Sequence, residues 1–443
     1  MHCWTGVALG WACHYADVSH KIRATSLSVP DPDIVRRLVL LTVLCMVIAA
    51  CDRQPLPKAG DLQGEVAALI PKVEAAAGLT FKTPPKVATQ TSEQVQKFLD
   101  DQFARPEVRR DLEFKIGVWK RLGVVADSVD VIALLTKLLS EQVVGFYDPK
   151  SKSLYVVDGR SGVERETVIR HELTHALQDQ YVNLDSIQNT LGDDDRVEAA
   201  QAVFEGHATV IMIGNAARTI AWDKARESIR DARAASPVFS AAPGFIAEGL
   251  LFPYLGGAEF VRNAMGDGVS SLQLLTGLPS STSQILHKER WGSTGNPAER
   301  VQFTPPAGAT MRYDNSFGEF ETRLALAELL GDVARASAAA RGMDGDRYAV
   351  VSMPGGDGLV WVAVWDTPLD AEEFAEAFGA AMAKRYKSSV VSANGRREIV
   401  AGGRRVTIRT DKSGSRDITI VEDLPAAAKA PAIPATAVSI SPR

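Results

Sequence analysis

Cysteine is scarce in this chain: only four of its 443 residues are cysteines, and none of them lies beyond residue 51. The rest of the sequence therefore has no disulfide framework, no cysteine nucleophile and no cysteine-ligated zinc site. Concentrated basic charge is also absent, since the net charge is −5 and Lys and Arg form no stripe. Binding to a nucleic-acid backbone needs such a stripe, so we expect no nucleic-acid partner.

Long apolar runs are also rare, and the one that stands out extends from Leu38 to Ala50. As a helix it would rise about 20 Å, which is short for a hydrocarbon core of about 30 Å. Arg36 and Arg37 precede it and small residues close it before Cys51, a pattern typical of a signal peptide. This ending resembles a bacterial lipobox, which implies lipidation of Cys51; an ordinary secretory signal and a short membrane anchor are the alternatives.

The remaining patterns divide the chain into five segments. Residues 1–34 fit a signal peptide poorly, so either its basic region is unusually long or the true start lies near Val35. From about Arg347 the apolar period changes to two, which indicates strands. The predicted segments are a signal region at 1–50, a lipid-anchored tether at 51–61, a mainly helical domain at 62–342, a small α+β domain at 343–423 and a disordered Ala- and Pro-rich tail at 424–443.

Local patterns near residue 150 predict a β-hairpin, formed by Val143–Tyr147 and Ser153–Val157. Two long helices are predicted to follow it, at Arg165–Tyr181 and Arg196–Asn215. A small edge sheet within a helical domain, followed by a strand-rich segment, predicts an α+β fold.

The motif that carries chemistry is HELTH at residues 171–175, which has the form H-E-x-x-H. On a helix, the i, i+4 spacing places His171 and His175 on one face, as two ligands of one zinc ion require. Glu172 then lies beside the metal, where it can take a proton from metal-bound water and pass it to a leaving amine. The motif follows the predicted strand Ser153–Val157, which could hold an extended peptide substrate.

A catalytic zinc site needs a third protein ligand and leaves its fourth position to water. The best candidate is Glu205, because the predicted second helix can run back against the motif helix and present its carboxylate. The metzincin continuation H-x-x-G-x-x-H is absent. Glu198, His207 and Glu248 remain as alternative ligands.

The segment HELTHALQDQ at 171–180, taken with Glu205, resembles the gluzincin branch of zinc metallopeptidases. The resemblance implies a zincin-like catalytic domain in which His171, His175 and Glu205 bind Zn²⁺ and Glu172 is the general base. A closer likeness, over about residues 60–423, is to poorly characterised bacterial proteins that are secreted or lipid-anchored. Its shared segments are GFYDP at 145–149, EGHA at 205–208 (where those proteins often have Asp in place of His), STSQILH at 281–287 and GDRY at 345–348.

A zincin also needs a donor to the oxygen of the attacked carbonyl, outside the metal motif. His287 has suitable chemistry and lies in one of the shared segments, so we predict that it is this catalytic donor. Tyr147, Tyr155 and Tyr181 are the alternatives. Asp179 and Gln180, at the end of the motif helix, are candidates for orienting the metal-binding imidazoles.

Together these observations predict a zinc-dependent metallopeptidase that hydrolyses a peptide or protein substrate, with metal-bound water activated by Glu172. The predicted location is the bacterial cell envelope, where a lipid on Cys51 would hold the protein to a membrane facing the periplasm or the exterior. The alternative is a catalytically inactive zinc-binding lipoprotein that serves as a scaffold. Retention of Glu172 favours the enzyme, since a structural site needs ligands but no base.

Overall fold

The structure is a computed structural model. Its helices and strands confirm the predicted α+β class. None of the helices within the described residues is both long and apolar enough to cross a bilayer. The predicted signal region and tether, with Cys51, lie outside those residues, apart from the last residues of the tether. The described residues are 59–157, 162–188, 190, 192–214, 224, 236–292, 295, 297–393, 395–428 and 432–443.

The first part of the chain packs helices around a three-stranded sheet. Its elements are α1 (Ala59–Ala77), β1 (Lys86–Gln90), α2 (Ser92–Phe103), α3 (Pro106–Leu122), α4 (Val131–Gln142), β2 (Gly145–Asp148), β3 (Ser153–Val157), α5 (Gly162–Gln178), α6 (Leu184–Gln188) and α7 (Asp194–Ile213). The strand order is β1-β3-β2, with β3 parallel to β1 and antiparallel to β2. The predicted hairpin is thus present. Its strand β3, which was predicted to hold a substrate, is paired on both sides, and β2 is the edge strand of this sheet.

Short-range chemistry explains where several of these helices begin and end. Thr91 and Gln94 form a reciprocal capping box at the start of α2, and Asp130 caps α4 by accepting from the Ala133 N–H. Helix α3 ends at Gly123, whose φ of 86° is in the left-handed region that glycine adopts without strain.

Helix α5, which carries the H-E-x-x-H motif, is held by burial of one face. Ile169, Leu173 and Leu177 are fully buried in a core shared with α1, β3 and α7. On another side the helix lies against β2, where Gly145 permits the contact: a Cβ there would lie 2.6 Å from Cγ1 of Val168. The core contacts and the Gly145 contact therefore fix which face of α5 is left for the motif histidines.

The middle of the chain adds α8 (Pro237–Ala241), α9 (Gly244–Gly266), α10 (Ser271–Thr276) and α11 (Thr282–Leu286). Helices α9, α10 and α11 contact α7, whereas α8 contacts α4. Helix α9 lies closest to α7, because Gly206 and Gly257 leave no side chain between the two backbones. A Cβ on Gly257 would lie 2.0 Å from the carbonyl oxygen of Ala202.

The last part of the chain forms a second, larger sheet with its own helices. Its elements are β4 (Glu299–Phe303), β5 (Thr310–Asn315), α12 (Gly318–Leu330), α13 (Val333–Ala340), β6 (Met343–Met353), β7 (Gly356–Trp365), α14 (Pro368–Tyr386), β8 (Val391–Ala393), β9 (Arg396–Ala401), β10 (Arg404–Ser413), β11 (Arg416–Pro425) and β12 (Val438–Pro442). The seven-stranded sheet has the order β5-β6-β7-β11-β10-β9-β8, with antiparallel neighbours throughout. Helix α14 packs on this sheet by placing Phe374 against Trp361 and Trp365 of β7, and all three side chains are buried.

Two predicted boundaries differ from the structure. Strand β5 belongs to the seven-stranded sheet, so that sheet begins before residue 343; the polar sequence TMRYDN gives no apolar alternation to mark the strand. The segment predicted as a disordered tail contains β12, which pairs with β4 and buries Val438 against Val301. The Ala- and Pro-rich sequence around β12 does not predict a strand, because the pairing with β4 forms only in the folded chain.

Candidate metal centre

Two helices bring to one point three side chains that could bind a metal ion. His171 and His175 project from α5, and Glu205 projects from the facing side of α7. Nε2 of His171 lies 3.0 Å from Oε2 of Glu205 and 3.1 Å from Nε2 of His175. Nε2 of His175 lies 3.3 Å from the same carboxylate oxygen. Within the described residues this is the group of His and acidic side chains close enough to share one ion.

These separations and this donor set fit a zinc ion. Zinc bonds of roughly 2.0–2.2 Å at tetrahedral angles place neighbouring ligand atoms about 3.3 Å apart. Two imidazoles and one carboxylate are also a donor set found in catalytic zinc sites, which keep a further position open. His171, His175 and Glu205 are therefore the residues that would hold the metal.

The hydrogen bond on the far side of His175 orients its ring. Nδ1 of His175 lies 2.9 Å from Oε1 of Gln178, an acceptor, so Nδ1 carries the hydrogen and Nε2 faces the other ligands. Burial acts to lower the pKa of His175, but Glu205 and Glu172 outweigh it and raise that pKa to about 9. Burial acts to raise the pKa of Glu205, and the two imidazoles outweigh it and lower that pKa well below its usual range. These opposite shifts mean that a positive charge is stabilised between His175 and Glu205.

Glu172 lies beside the three ligands and is 8% exposed. Burial raises the pKa of its carboxyl, although His171 and His175 partly oppose the shift. The carboxylate also accepts a hydrogen bond from the backbone N–H of Tyr147, in the edge strand β2. A carboxyl with a raised pKa beside a candidate metal site is suited to moving a proton.

Tyr254 completes the site, and no sequence motif indicates it. It comes from α9; its ring stacks 6.1 Å from that of His171, and its hydroxyl hydrogen-bonds to Glu205. Burial, followed by the charges of Glu205 and Glu172, raises its pKa well above the usual value, so the hydroxyl keeps its hydrogen. It is a hydrogen-bond donor beside the candidate ligands.

His287, the predicted donor, is not brought to this group. Its Nε2 lies 2.7 Å from Oε1 of Glu319, which is 3% exposed at the start of α12. The other residues named as donors have structural contacts as well. Tyr181 donates to the carbonyl of Thr80, and Tyr155 stacks on Phe146 at 4.9 Å.

The alternative ligands also lie elsewhere. Glu198 is two turns before Glu205 on α7 and, with Glu321, lines a separate cavity of about 650 Å³. Burial raises the pKa of Glu198 well above its usual value and that of Glu321 to about 8. Glu248, on α9, lines another cavity.

The two residues expected to orient the imidazoles have different partners. Asp179 accepts hydrogen bonds from the hydroxyl of Tyr147 at 2.7 Å and from Nζ of Lys152 at 2.6 Å, and so ties β2 and its turn to α5. Gln180 binds the backbone of the segment before β1, accepting from the N–H of Lys82 at 2.6 Å. Gln178 has the orienting role instead, and its i+3 spacing from His175 is the signal that could have identified it.

Comparisons with known proteins match parts of the chain. Residues 308–434 match a family model described as a domain of unknown function, DUF8575, and this segment contains the seven-stranded sheet. No curated protein matches the chain. A solved structure from Chloroflexus aurantiacus, described as "a putative hydrolase with a novel fold", is 17% identical and has a TM-score of 0.34; it covers 59% of this chain and 97% of that one. A likeness at that TM-score carries no argument about this chain.

Proposed function

We propose that this protein is a zinc-dependent hydrolase that cleaves peptide bonds at the bacterial cell envelope. The observation that carries the proposal is the convergence of His171, His175 and Glu205 from two helices, with their ligand atoms 3.0–3.3 Å apart. Glu172 beside them distinguishes a catalytic site from a structural one, which has no need of a base. The location rests on the lipobox-like sequence that ends at Cys51.

In the proposed mechanism the metal, Glu172 and Tyr254 have separate roles. Bound Zn²⁺ would supply a Lewis acid that polarises the substrate carbonyl and acidifies a water molecule. Glu172 accepts the proton of the attacking water and passes it to the leaving nitrogen, and its raised pKa helps it to hold that proton between the two steps. The hydroxyl of Tyr254, which bonds to Glu205 in the structure, would turn its hydrogen to the carbonyl oxygen as negative charge develops there.

Strand β2 is where an extended substrate would lie. In the described sheet β2 pairs with β3 and has no strand on its other side. Phe146 is paired with Tyr155, whereas the N–H of the next residue, Tyr147, is directed to Glu172. A peptide lying along this edge would pass the carboxylate of Glu172, as addition of a strand to an exposed edge allows.

The test is Glu172→Gln, which keeps the size of the side chain and removes the base. We expect zinc content equal to wild type and a rate of peptide cleavage lower by about 10²–10⁴-fold. Glu166→Gln is the matched control, because Glu166 is exposed on the same helix and pairs with Lys72 at the surface. Metal content is measured by elemental analysis, and cleavage by mass spectrometry of a peptide library.

Three results would contradict the proposal. Equal cleavage by Glu172→Gln and wild type would exclude the assigned base. Purified wild type that binds no zinc would exclude the metal. Zinc bound by all variants without cleavage of any library peptide would favour the zinc-binding scaffold.

A further inference from the structure

We infer that Gln178, His207 and Ser271 form a buried chain of hydrogen bonds that fixes the tautomer and orientation of His175. These three are positioning residues: each acts on the metal site only through the next. The inference rests on the proposed metal site, and it assigns a role to His207 that the sequence left open. The chain starts on α5, passes through α7 and α10, and ends on α1.

Four contacts, each within hydrogen-bond distance, make up the chain. Nδ1 of His175 lies 2.9 Å from Oε1 of Gln178, and Nε2 of Gln178 lies 3.1 Å from Nδ1 of His207. Nε2 of His207 lies 2.9 Å from Oγ of Ser271. The Ser271 hydroxyl reaches the carbonyl oxygen of Ala77 at 2.6 Å.

The direction of the chain is set by two backbone carbonyls, which can only accept. Ser271 must donate its single hydrogen to the Ala77 carbonyl, so Nε2 of His207 must be the donor to Oγ of Ser271. The amide nitrogen of Gln178 also donates to the carbonyl of Phe204 at 2.9 Å, which fixes the amide orientation independently. A neutral His207 therefore accepts at Nδ1, and Oε1 of Gln178 is left to accept from His175.

Burial supports this assignment of donors and acceptors. Gln178 and His207 are 0% exposed and Ser271 is 2% exposed, so solvent cannot replace a lost partner. Ala77 is the last residue of α1, where helix carbonyls lack a partner within the helix. The end of α1 and the Phe204 carbonyl thus hold the Gln178 amide in the same orientation, which leaves Oε1 to accept from Nδ1 of His175.

The test compares Ser271→Ala and His207→Leu with wild type. We expect the dissociation constant for zinc, measured by chelator competition, to rise about tenfold or more for each, since partners of metal ligands commonly contribute 10–100-fold. We also expect faster solvent exchange of the His175 Nδ1 hydrogen, followed by ¹⁵N-edited NMR of the zinc-loaded protein. Ser271→Thr keeps the hydroxyl and should bind zinc as wild type does.

The matched control is Thr174→Val. Thr174 is 0% exposed, lies next to His175 and donates to the carbonyl of Arg170 at 2.8 Å, outside the chain. Its loss should lower the unfolding midpoint without changing zinc affinity or the exchange of the His175 hydrogen. Unchanged zinc affinity and exchange in folded Ser271→Ala would overturn the inference while leaving the metal site intact. Failure of wild type to bind zinc would instead overturn the proposed function.

Discussion

Tyr254 contacts the candidate metal ligands although no sequence motif indicates it. Its ring lies against His171 and its hydroxyl against Glu205, yet it is separated from both by many residues of chain. The sequence favoured His287 for the same task because of its chemistry and its place in a shared segment. In the structure His287 contacts Glu319, whereas the hydroxyl beside the candidate ligands is that of Tyr254.

Tyr254→Phe tests this assignment. The ring and its packing remain and only the hydroxyl is lost, so zinc binding should persist. We expect kcat/KM for a cleaved peptide to fall by about 10²–10³-fold, the usual effect of removing one such donor. Tyr181→Phe is the matched control, since that hydroxyl binds the Thr80 carbonyl away from the site. Wild-type turnover by Tyr254→Phe would exclude Tyr254 as the donor.

At the scale of elements, the contact between α7 and α9 determines the site as much as the motif helix does. Glu205 comes from one of these helices and Tyr254 from the other, so their separation depends on how closely the helices pack. Gly206 lies against the backbone of Gly257, and Gly257 lies against Ala202. Glycine is required at this crossing because any side chain would hold the helices apart.

Gly257→Ala should separate them. The new Cβ would lie 2.0 Å from the Ala202 carbonyl oxygen, so α9 must move. We expect a loss of about 1–3 kcal/mol in the free energy of unfolding, measured by denaturant titration, together with weaker zinc binding. Gly249→Ala, on the same helix with nothing within 4 Å of its Cβ, should be neutral or more stable. Equal stability changes in the two variants would contradict the packing argument.

At the scale of the whole molecule, the helix that carries Glu205 is joined through buried contacts to the segment that follows β12, the partner of β4 in a two-stranded sheet. The guanidinium of Arg443, after β12, lies 2.9 Å from Oδ2 of Asp195 near the start of α7. Asp195 also accepts hydrogen bonds from the backbone N–H and the hydroxyl of Thr282, at 2.8 and 2.6 Å. The helix that carries Glu205 is therefore anchored by the last segment of the chain.

The proposed location is also a property of the whole molecule. Cys51→Ala should abolish lipid attachment and change processing at this position, because the acceptor thiol is lost. We expect the variant to leave the membrane fraction and to lose incorporation of labelled fatty acid, measured in cells that express the full chain. Cys45→Ala, within the apolar run, is the control. A Cys51→Ala protein that stays in the membrane fraction with an unchanged mature N-terminus would exclude the lipid anchor.

The sequence alone determined what depends on neighbours along the chain. Helical periodicity and the i, i+4 spacing placed His171 and His175 on one face of α5 with Glu172 beside them. The hairpin of β2 and β3 was predictable from strand patterns on either side of a turn. Glu205 was predictable as a candidate ligand because the chain after His175 is long enough for a second helix to run back against the first.

Only the tertiary structure decided which distant residues meet. Tyr254 reaches Glu205 because two glycines bring α7 and α9 together, and His207 reaches Gln178 because α7 crosses α5. Strand β12 exists because β4 offers it an edge, which its Ala- and Pro-rich surroundings do not reveal. Such contacts depend on the packing of whole elements, whereas a sequence pattern reports only the periodicity within one of them.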